Sequence, residues 1–407
     1  MDVLMEDLDF AIDPVTDLEE RLAVLRATGE RILPVKWNGK KAWVVLKYKD
    51  VSVLLGDEVN LPAWPEYKLN WDLQGSSPLM MKGAAHRASR AVLEGPFKIG
   101  EVRRRVGTVL VPLADKLIDE FGDRREVDLI ADFCRRYTFL VIADILGIEV
   151  TKDRAEENEL VRLLYTLLQG FPDGETTPEQ RRAAALEAVD AVNEYLRPTI
   201  EARRADPKED MISFLVHAEE GGAPMSETRL YDYVRFLFPA GAETTHSAMG
   251  KMMKNVLSDL STRDRLIAHP EERGAAVEES LRIATASTLV PRTLLDDTTI
   301  CDVDIPGGST VLLAVASANQ DEAVFTNSAE YSLDHKRKPV LSFGAGVHHC
   351  LGHHLARAEM QTALSRLLDR LPGLRLAETA PPPIGTVVRW LPELKVRFDD
   401  IVPAPES

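Results

Sequence analysis

The stretch Phe343 to Ala358 reads FGAGVHHCLGHHLARA, and it decides the fold. Gly344 and Gly346 permit positive φ and a close backbone approach that side chains would block. Cys350 stands directly before an amphipathic helical pattern. A thiol at a helix N-terminus meets free N–H donors and the positive end of the dipole, which favour the thiolate. Gly352 leaves room for a flat group against the first turn, and Leu355 and Ala358 face the core. A lone cysteine is ordinarily an inert buried residue, and Cys134 and Cys301 fit that description. Cys350 differs by its glycine frame, its helix start and His348 two residues before it.

Outward from this loop, Glu279-Ser280-Leu281-Arg282 puts a carboxylate and a guanidinium three apart on one helix face. The same spacing recurs at Glu101/Arg104, Glu159/Arg162, Glu179/Arg182, Glu194/Arg197 and Glu201/Arg204, where it predicts surface ion pairs of little worth. Further back, Phe238 to Thr245 reads FPAGAETT inside a long helical pattern that Ser226 is placed to cap. Thr244 can bond back to the carbonyl of Ala240, and Gly241 lets a ligand approach the backbone. Pro239 lacks an N–H and crowds the carbonyl of Arg235, so a kink is expected there.

The rest of the chain alternates in character. A helix is predicted over Asp17 to Thr28. Two strand-like runs flank the turn signal Asn38-Gly39 and predict a hairpin. From Glu101 to about Leu260 the pattern is mostly helical, including Val106 to Phe121 and Leu129 to Leu146. Gly170 to Pro178 predicts a loop. Another helix is expected over Pro270 to Ile283, and strands near Thr298 to Ile305 and Thr310 to Ala316. A final helix covers Leu351 to Leu371, and Val387 to Phe398 is strand-like. No repeat and no linker interrupts the 407 residues, which predicts a single domain over 1–407, mainly α with small β-sheets (α+β).

Composition narrows the function. The formal charge of −16 disfavours nucleic acid as a partner. No run reaches the ~18 apolar residues that a membrane span needs. Met1 to Pro14 carries five acidic residues and no Lys or Arg, unlike a secretory leader, so a soluble cytoplasmic protein is expected. Three distant cysteines argue against a disulfide framework.

The cysteine segment resembles the haem-binding loop of the cytochrome P450 family, F-G-x-G-x-[HR]-x-C-x-G-x-x-[LI]-A. Phe343, Gly344, Gly346, His348, Cys350, Gly352, Leu355 and Ala356 meet every fixed position. The resemblance implies the P450 fold, with helix-rich and β-rich parts, and haem b (iron protoporphyrin IX) as cofactor. It implies Cys350 as the proximal thiolate and metal ligand, donating electron density that favours O–O cleavage, with Phe343, Gly344 and Gly352 around it. It implies that His348 donates to a haem propionate.

Other stations follow in the family's order. Ala240 to Thr245 resembles its oxygen-activation segment [AG]-G-x-[DE]-T-T. The resemblance implies that Thr244 holds a water where dioxygen is activated and that Glu243 helps relay protons. His86 and Arg90, one turn apart, resemble the H-x-x-x-R on the helix at the haem edge. Arg292, after Pro291, resembles the strand arginine that takes a propionate, a task suited to an always-charged fork. Glu279 and Arg282 are then a structural ion pair beneath the haem. Asn319-Gln320-Asp321 with Phe325 resembles the A-N-R-D-P segment. Trp390 replaces a usual Gly, Gly83-Ala84-Ala85 stands where Pro-Glu is common, and His335 where an Arg is usual.

The function implied is a monooxygenase that uses O2 to hydroxylate or otherwise oxidise a hydrophobic small molecule. Apolar pocket positions are expected at Trp71, Leu168, Ala240, Leu289, Val290 and Val388. Little sequence follows the last strand, so electrons are expected from a separate ferredoxin and its reductase. By resemblance they enter near Cys350, where Arg103, Arg104, Arg105, His353, His354 and Arg357 predict a basic docking cluster. A peroxide-using haem-thiolate enzyme and a non-catalytic haem sensor or carrier are the alternatives. Retention of Glu243 and Thr244 argues against both.

Overall fold

The computed structural model describes residues 9–11, 16–65, 75–150, 153–167, 178–220, 222–336 and 338–404. The chain forms two compact units. One comprises Met1–Ala63, Val106–Arg135 and Thr244–Ser407; the other comprises Trp64–Arg105 and Arg136–Glu243. Helices dominate and the sheets are small, as expected.

In the first unit a four-stranded sheet runs in the order Ile32–Trp37, Lys40–Val45, Thr310–Ala314, Leu289–Thr293. Its hairpin turns at Asn38 and Gly39, both at positive φ, 51° and 71°. That is the two-residue loop that Asn-Gly favours, because Asn and Gly accept the left-handed region. The next pairing, to Thr310–Ala314, is parallel, and the last is antiparallel. Val45, Val311 and Leu313 pack into one core cluster, while Ala42, Val44, Leu312 and Ala314 pack into another. The sheet is thus covered on both faces, which explains why TVLLA reads as an unbroken apolar run.

Three helices of this unit are held by buried or half-buried arginines. Arg366 and Arg370 of His353–Arg370 reach Asp115 and Asp119 of Val111–Asp119 at 2.8 and 2.6 Å. Arg273 of Arg273–Ile283 meets Asp369 at 2.7 Å.

The second unit is almost wholly helical. Buried Arg136 forks onto Glu157 at 2.5 and 2.9 Å, tying Arg135–Leu146 to Arg154–Leu167. The ring of Phe139 stacks on that of Phe238 with centroids 5.1 Å apart.

Two expectations need correction. Thr298 to Ile305 is a hairpin of Thr298–Ile300 and Val303–Ile305, with Cys301 and Asp302 both at positive φ. Of Val387 to Phe398 only Lys395–Arg397 is strand, preceded by isolated bridges at Val388 and Trp390. The expected loop at 170–177 lies outside the described residues.

Candidate functional site

The helix Glu227–Ser258 carries Glu243 and Thr244 in adjacent positions. Ser226 Oγ accepts from Arg229 N–H at its start, the capping role expected. The helix is continuous through Pro239, although an internal proline costs about 3 kcal/mol. Tertiary packing offsets that cost. A Cβ on Gly241 would lie 2.8 Å from Ile142 Cγ1, so the helix presses directly on its neighbour. Thr138 Oγ1 donates to the Ala242 carbonyl at 2.9 Å.

Glu243 is buried, and removal from water pushes its carboxyl up to about 8. At neutral pH it is therefore a protonated acid with a hydrogen to donate. A group that is acidic and near its pKa at working pH is suited to proton relay.

The cysteine loop belongs to the first unit and is anchored at both ends. Cys350 N–H donates to the Phe343 carbonyl at 2.9 Å. Ser342 accepts from Asn319 Nδ2 at 2.9 Å, and Leu341 N–H donates to Asn319 Oδ1 at 2.8 Å. Asn319 is thus the buried pin of the loop. Gly344 and Gly346 have φ of 70° and 69°. A Cβ on Gly346 would fall 2.8 Å from Gly56 Cα, so glycine is required there twice over. Cys350 is half-buried, forms no disulfide, and precedes the helix His353–Arg370. Arg357 lies over the Phe343 ring, 4.4 Å from its centroid.

The expected ion pair is buried. Arg282 approaches Glu279 at 2.6 and 2.9 Å and also donates to the carbonyls of Asn319, Ser328 and Glu330. His335 Nδ1 stands 2.9 Å from the same Glu279 oxygen that Arg282 engages. Glu101/Arg104, Glu159/Arg162 and Glu194/Arg197 form the exposed pairs expected, whereas Arg204 meets Glu227.

In the second unit His86 is buried and Arg90 half-buried on the helix Gly83–Leu93. In the first, His348 Nε2 lies 3.2 Å from Glu58. Arg292 is only 5% exposed, and its guanidinium donates to the neighbouring Pro291 carbonyl. Among the described residues no carboxylate pairs with it. A buried charge without a counter-ion is costly, and a carboxylate from a bound group could balance this one. Open space where Cβ atoms of Gly344 and Gly352 would lie fits a flat group beside Cys350.

Of the expected pocket positions, Trp71 and Leu168 lie outside the described residues. Ala240 is exposed on the long helix. Val290 and Val388 are half-buried, while Leu289 is wholly buried and packs into the core with Leu312 and Ala314. The docking cluster needs revision. Arg105 is buried and bound to Asp144, Arg357 is bound to Glu278, and Arg104, though exposed like Arg103, is paired with Glu101.

Sequence reasoning passed over Ser247 and Lys251, and placed Arg389 only within the turn Val388-Arg389-Trp390-Leu391 that resembles a substrate-site turn. Ser247 and Lys251 sit three and seven residues past Thr244, and Arg389 is fully buried. The available signal was Lys251 within the apolar run Ala248 to Met253.

Comparison with known proteins identifies the class. The Cytochrome P450 family model matches residues 274–386. The mycinamicin IV hydroxylase/epoxidase of Micromonospora griseorubida is 32% identical over 83% of this chain and 84% of its own length. Cytochrome P450-SU2 of Streptomyces griseolus is 32% identical over 90% and 88%. The crystal structure of myxobacterial cytochrome P450 CYP267B1 in complex with myristic acid has a TM-score of 0.85, with 28% identity over 94% of this chain and 97% of that one. The chain belongs to the cytochrome P450 family, and it is a P450 monooxygenase with a haem-iron cofactor, acting with O2 on a small molecule. Among the described residues no helix is long and apolar enough to cross a membrane.

Proposed function

We propose that this P450 hydroxylates or otherwise oxidises a hydrophobic small molecule, as one domain, with electrons from a separate ferredoxin and its reductase. The observation that carries the reading is the buried Glu243, its carboxyl pushed up to about 8, next to Thr244 on an unbroken helix. Haem b, when bound, supplies O2 reduction and oxygen transfer. Cys350 ligates the iron, and Phe343, Gly344 and Gly352 shape the space beside the ligand. Arg292 and His348 would hold propionates, and the family resemblance assigns the same task to His86 and Arg90. Thr244 orders a water with its hydroxyl, and Glu243 passes a proton towards that water and recovers one from solvent. Val290 and Val388, both in the first unit, offer an apolar wall to the substrate, and Ala240 is a further candidate by resemblance.

The test is NADH consumption with added ferredoxin and reductase, run with Thr244→Ala beside wild type over a substrate panel of terpenoids, aromatics, steroids and fatty acids. The reading expects the variant to consume NADH but divert it to peroxide. An unchanged ratio of product to NADH would remove Thr244 from the relay. Turnover with hydrogen peroxide alone, at the rate seen with NADH, would favour a peroxide-using enzyme.

A further inference from the structure

Lys251 lies in the first unit, and its side chain is buried. Its Nζ donates to the Thr285 carbonyl. One turn earlier, Ser247 Oγ donates to the Arg389 carbonyl. The two segments reached from the helix also bind each other. Arg389 N–H donates to Ala286 O at 3.0 Å, and Thr288 N–H to Val387 O at 2.9 Å. The Arg389 guanidinium closes the far side, donating to Glu19 at 2.9 Å and to the Gly385 carbonyl at 2.7 Å. Every bond in this set lies within the first unit. Three stretches are cross-linked: the long helix at 247–251, the segment 285–290 and the tip 384–390.

We propose that Lys251 is a positioning residue that, with Ser247 and Arg389, clamps the segments bearing Val290 and Val388 and so sets the shape of the substrate wall. The proposal rests on the pocket reading above. Ser247 and Lys251 recur at a four-residue spacing, so both point from one face of the helix. A lysine is an expensive way to fill a core. Its use is explained by the carbonyl it reaches, since Thr285 begins the segment that leads into the strand Leu289–Thr293.

The clamp is also sensitive to pH. Burial pulls the Lys251 amine down to about 7. Glu19, from the helix Leu18–Ala27, favours its charge, while Arg389 and Lys254 oppose it. Segment 284–288 contributes no titratable side chain. Above pH ~7 the neutral amine holds Thr285 without a buried charge. Below it the ammonium has to be hydrated or drawn towards Glu19, and the clamp loosens.

The experiment uses the holoenzyme. Hydrogen–deuterium exchange is followed in peptides covering 285–290 and 384–391 for wild type and Lys251→Met, which keeps the apolar stem and volume. The proposal expects about tenfold faster exchange in the variant, the effect of one lost hydrogen bond. It also expects wild-type exchange, corrected for intrinsic chemistry, to rise as pH falls from 8 to 6, with no such dependence in the variant. In parallel, binding of 4-phenylimidazole, which adds an apolar ring to imidazole, should change at least about threefold, while imidazole binding stays constant. If Lys251→Met does not fold, Ser247→Ala and Lys251→Gln take its place. Ser247→Ala should speed exchange at 384–391, and Lys251→Gln should lose the pH dependence. Exchange that is unchanged in these peptides overturns the clamp. Faster exchange with unchanged 4-phenylimidazole binding overturns its role in the wall. Loss of the thiolate-type ferrous–CO band in wild type would instead strike at the haem reading and leave the exchange result standing.

Discussion

The guanidinium of Arg282 meets the carboxylate of Glu279 at 2.6 Å with both side chains buried, and it spends its remaining hydrogens on three loop carbonyls. Breaking a buried pair from one side costs about 3–5 kcal/mol, because it strands the partner charge. Arg282→Met should therefore lose bound haem and melt at a lower temperature, while Glu101→Ala at an exposed pair should do neither. Haem content and Tm, measured on both variants, decide it. Equal haem retention would show that the network does not support the loop.

Glu243 makes a signed prediction about pH. Its folded value, about 8, lies above the ordinary 4.5. The unfolded chain releases this proton first, so the contribution to stability is complete below about 4.5 and is lost as pH rises through about 8. Proton delivery follows the same sign. The ratio of product to NADH should fall between pH 7 and 9 in wild type, and Glu243→Gln should flatten that fall at a lower ratio. Product and peroxide are assayed together across the range.

Gly346 has φ of 69° and no room for a side chain against Gly56. Gly346→Ala combines a left-handed strain of about 1–2 kcal/mol with an overpacking cost of about 1–3 kcal/mol. Urea denaturation should show a loss of at least about 2 kcal/mol. Gly95→Ala, where nothing lies within 4 Å, should cost little.

The electron donor should feel Arg103 and Arg104, which are exposed even with Arg104 paired to Glu101, but not Arg105, which is buried and turned onto Asp144. An acidic ferredoxin steered by this patch should transfer its first electron more slowly as salt screens charges beyond about 8–10 Å. Arg103→Glu with Arg104→Glu should slow transfer at low salt and abolish most of the salt dependence. A salt-independent rate, equal in both proteins, would place the dock elsewhere.

The parts legible in the sequence are those where residue type answers a rare geometric need. Asn38-Gly39 announces a turn because both residues accept positive φ, and Gly346 announces a close approach. Cys301 and Asp302 adopt the same region without such a signal, so the hairpin they make was read as one strand. Val387 to Phe398 looked like a strand by its apolar content. In the structure Arg389 turns inward to bind the Gly385 and Pro383 carbonyls, four and six residues before it, and the distant Glu19, which breaks the ladder. Lys251 was passed over because a lone lysine on a helix is ordinarily solvated. Only tertiary packing places its amine under a carbonyl. Arg105 failed in the opposite sense, since three successive arginines look alike until the helix face that each occupies is known.

Cys350 would supply the thiolate ligand of the haem iron, and the ferrous–CO difference spectrum of wild type and Cys350→His tests this most directly. Wild type should give the red-shifted band that a thiolate ligand produces, because sulfur pushes electron density onto iron that imidazole cannot match. The variant, if it holds haem, should give only the unshifted band of a nitrogen ligand. A variant that kept the red-shifted band would contradict the assignment, and with it the reading of the loop from Phe343 to Ala358.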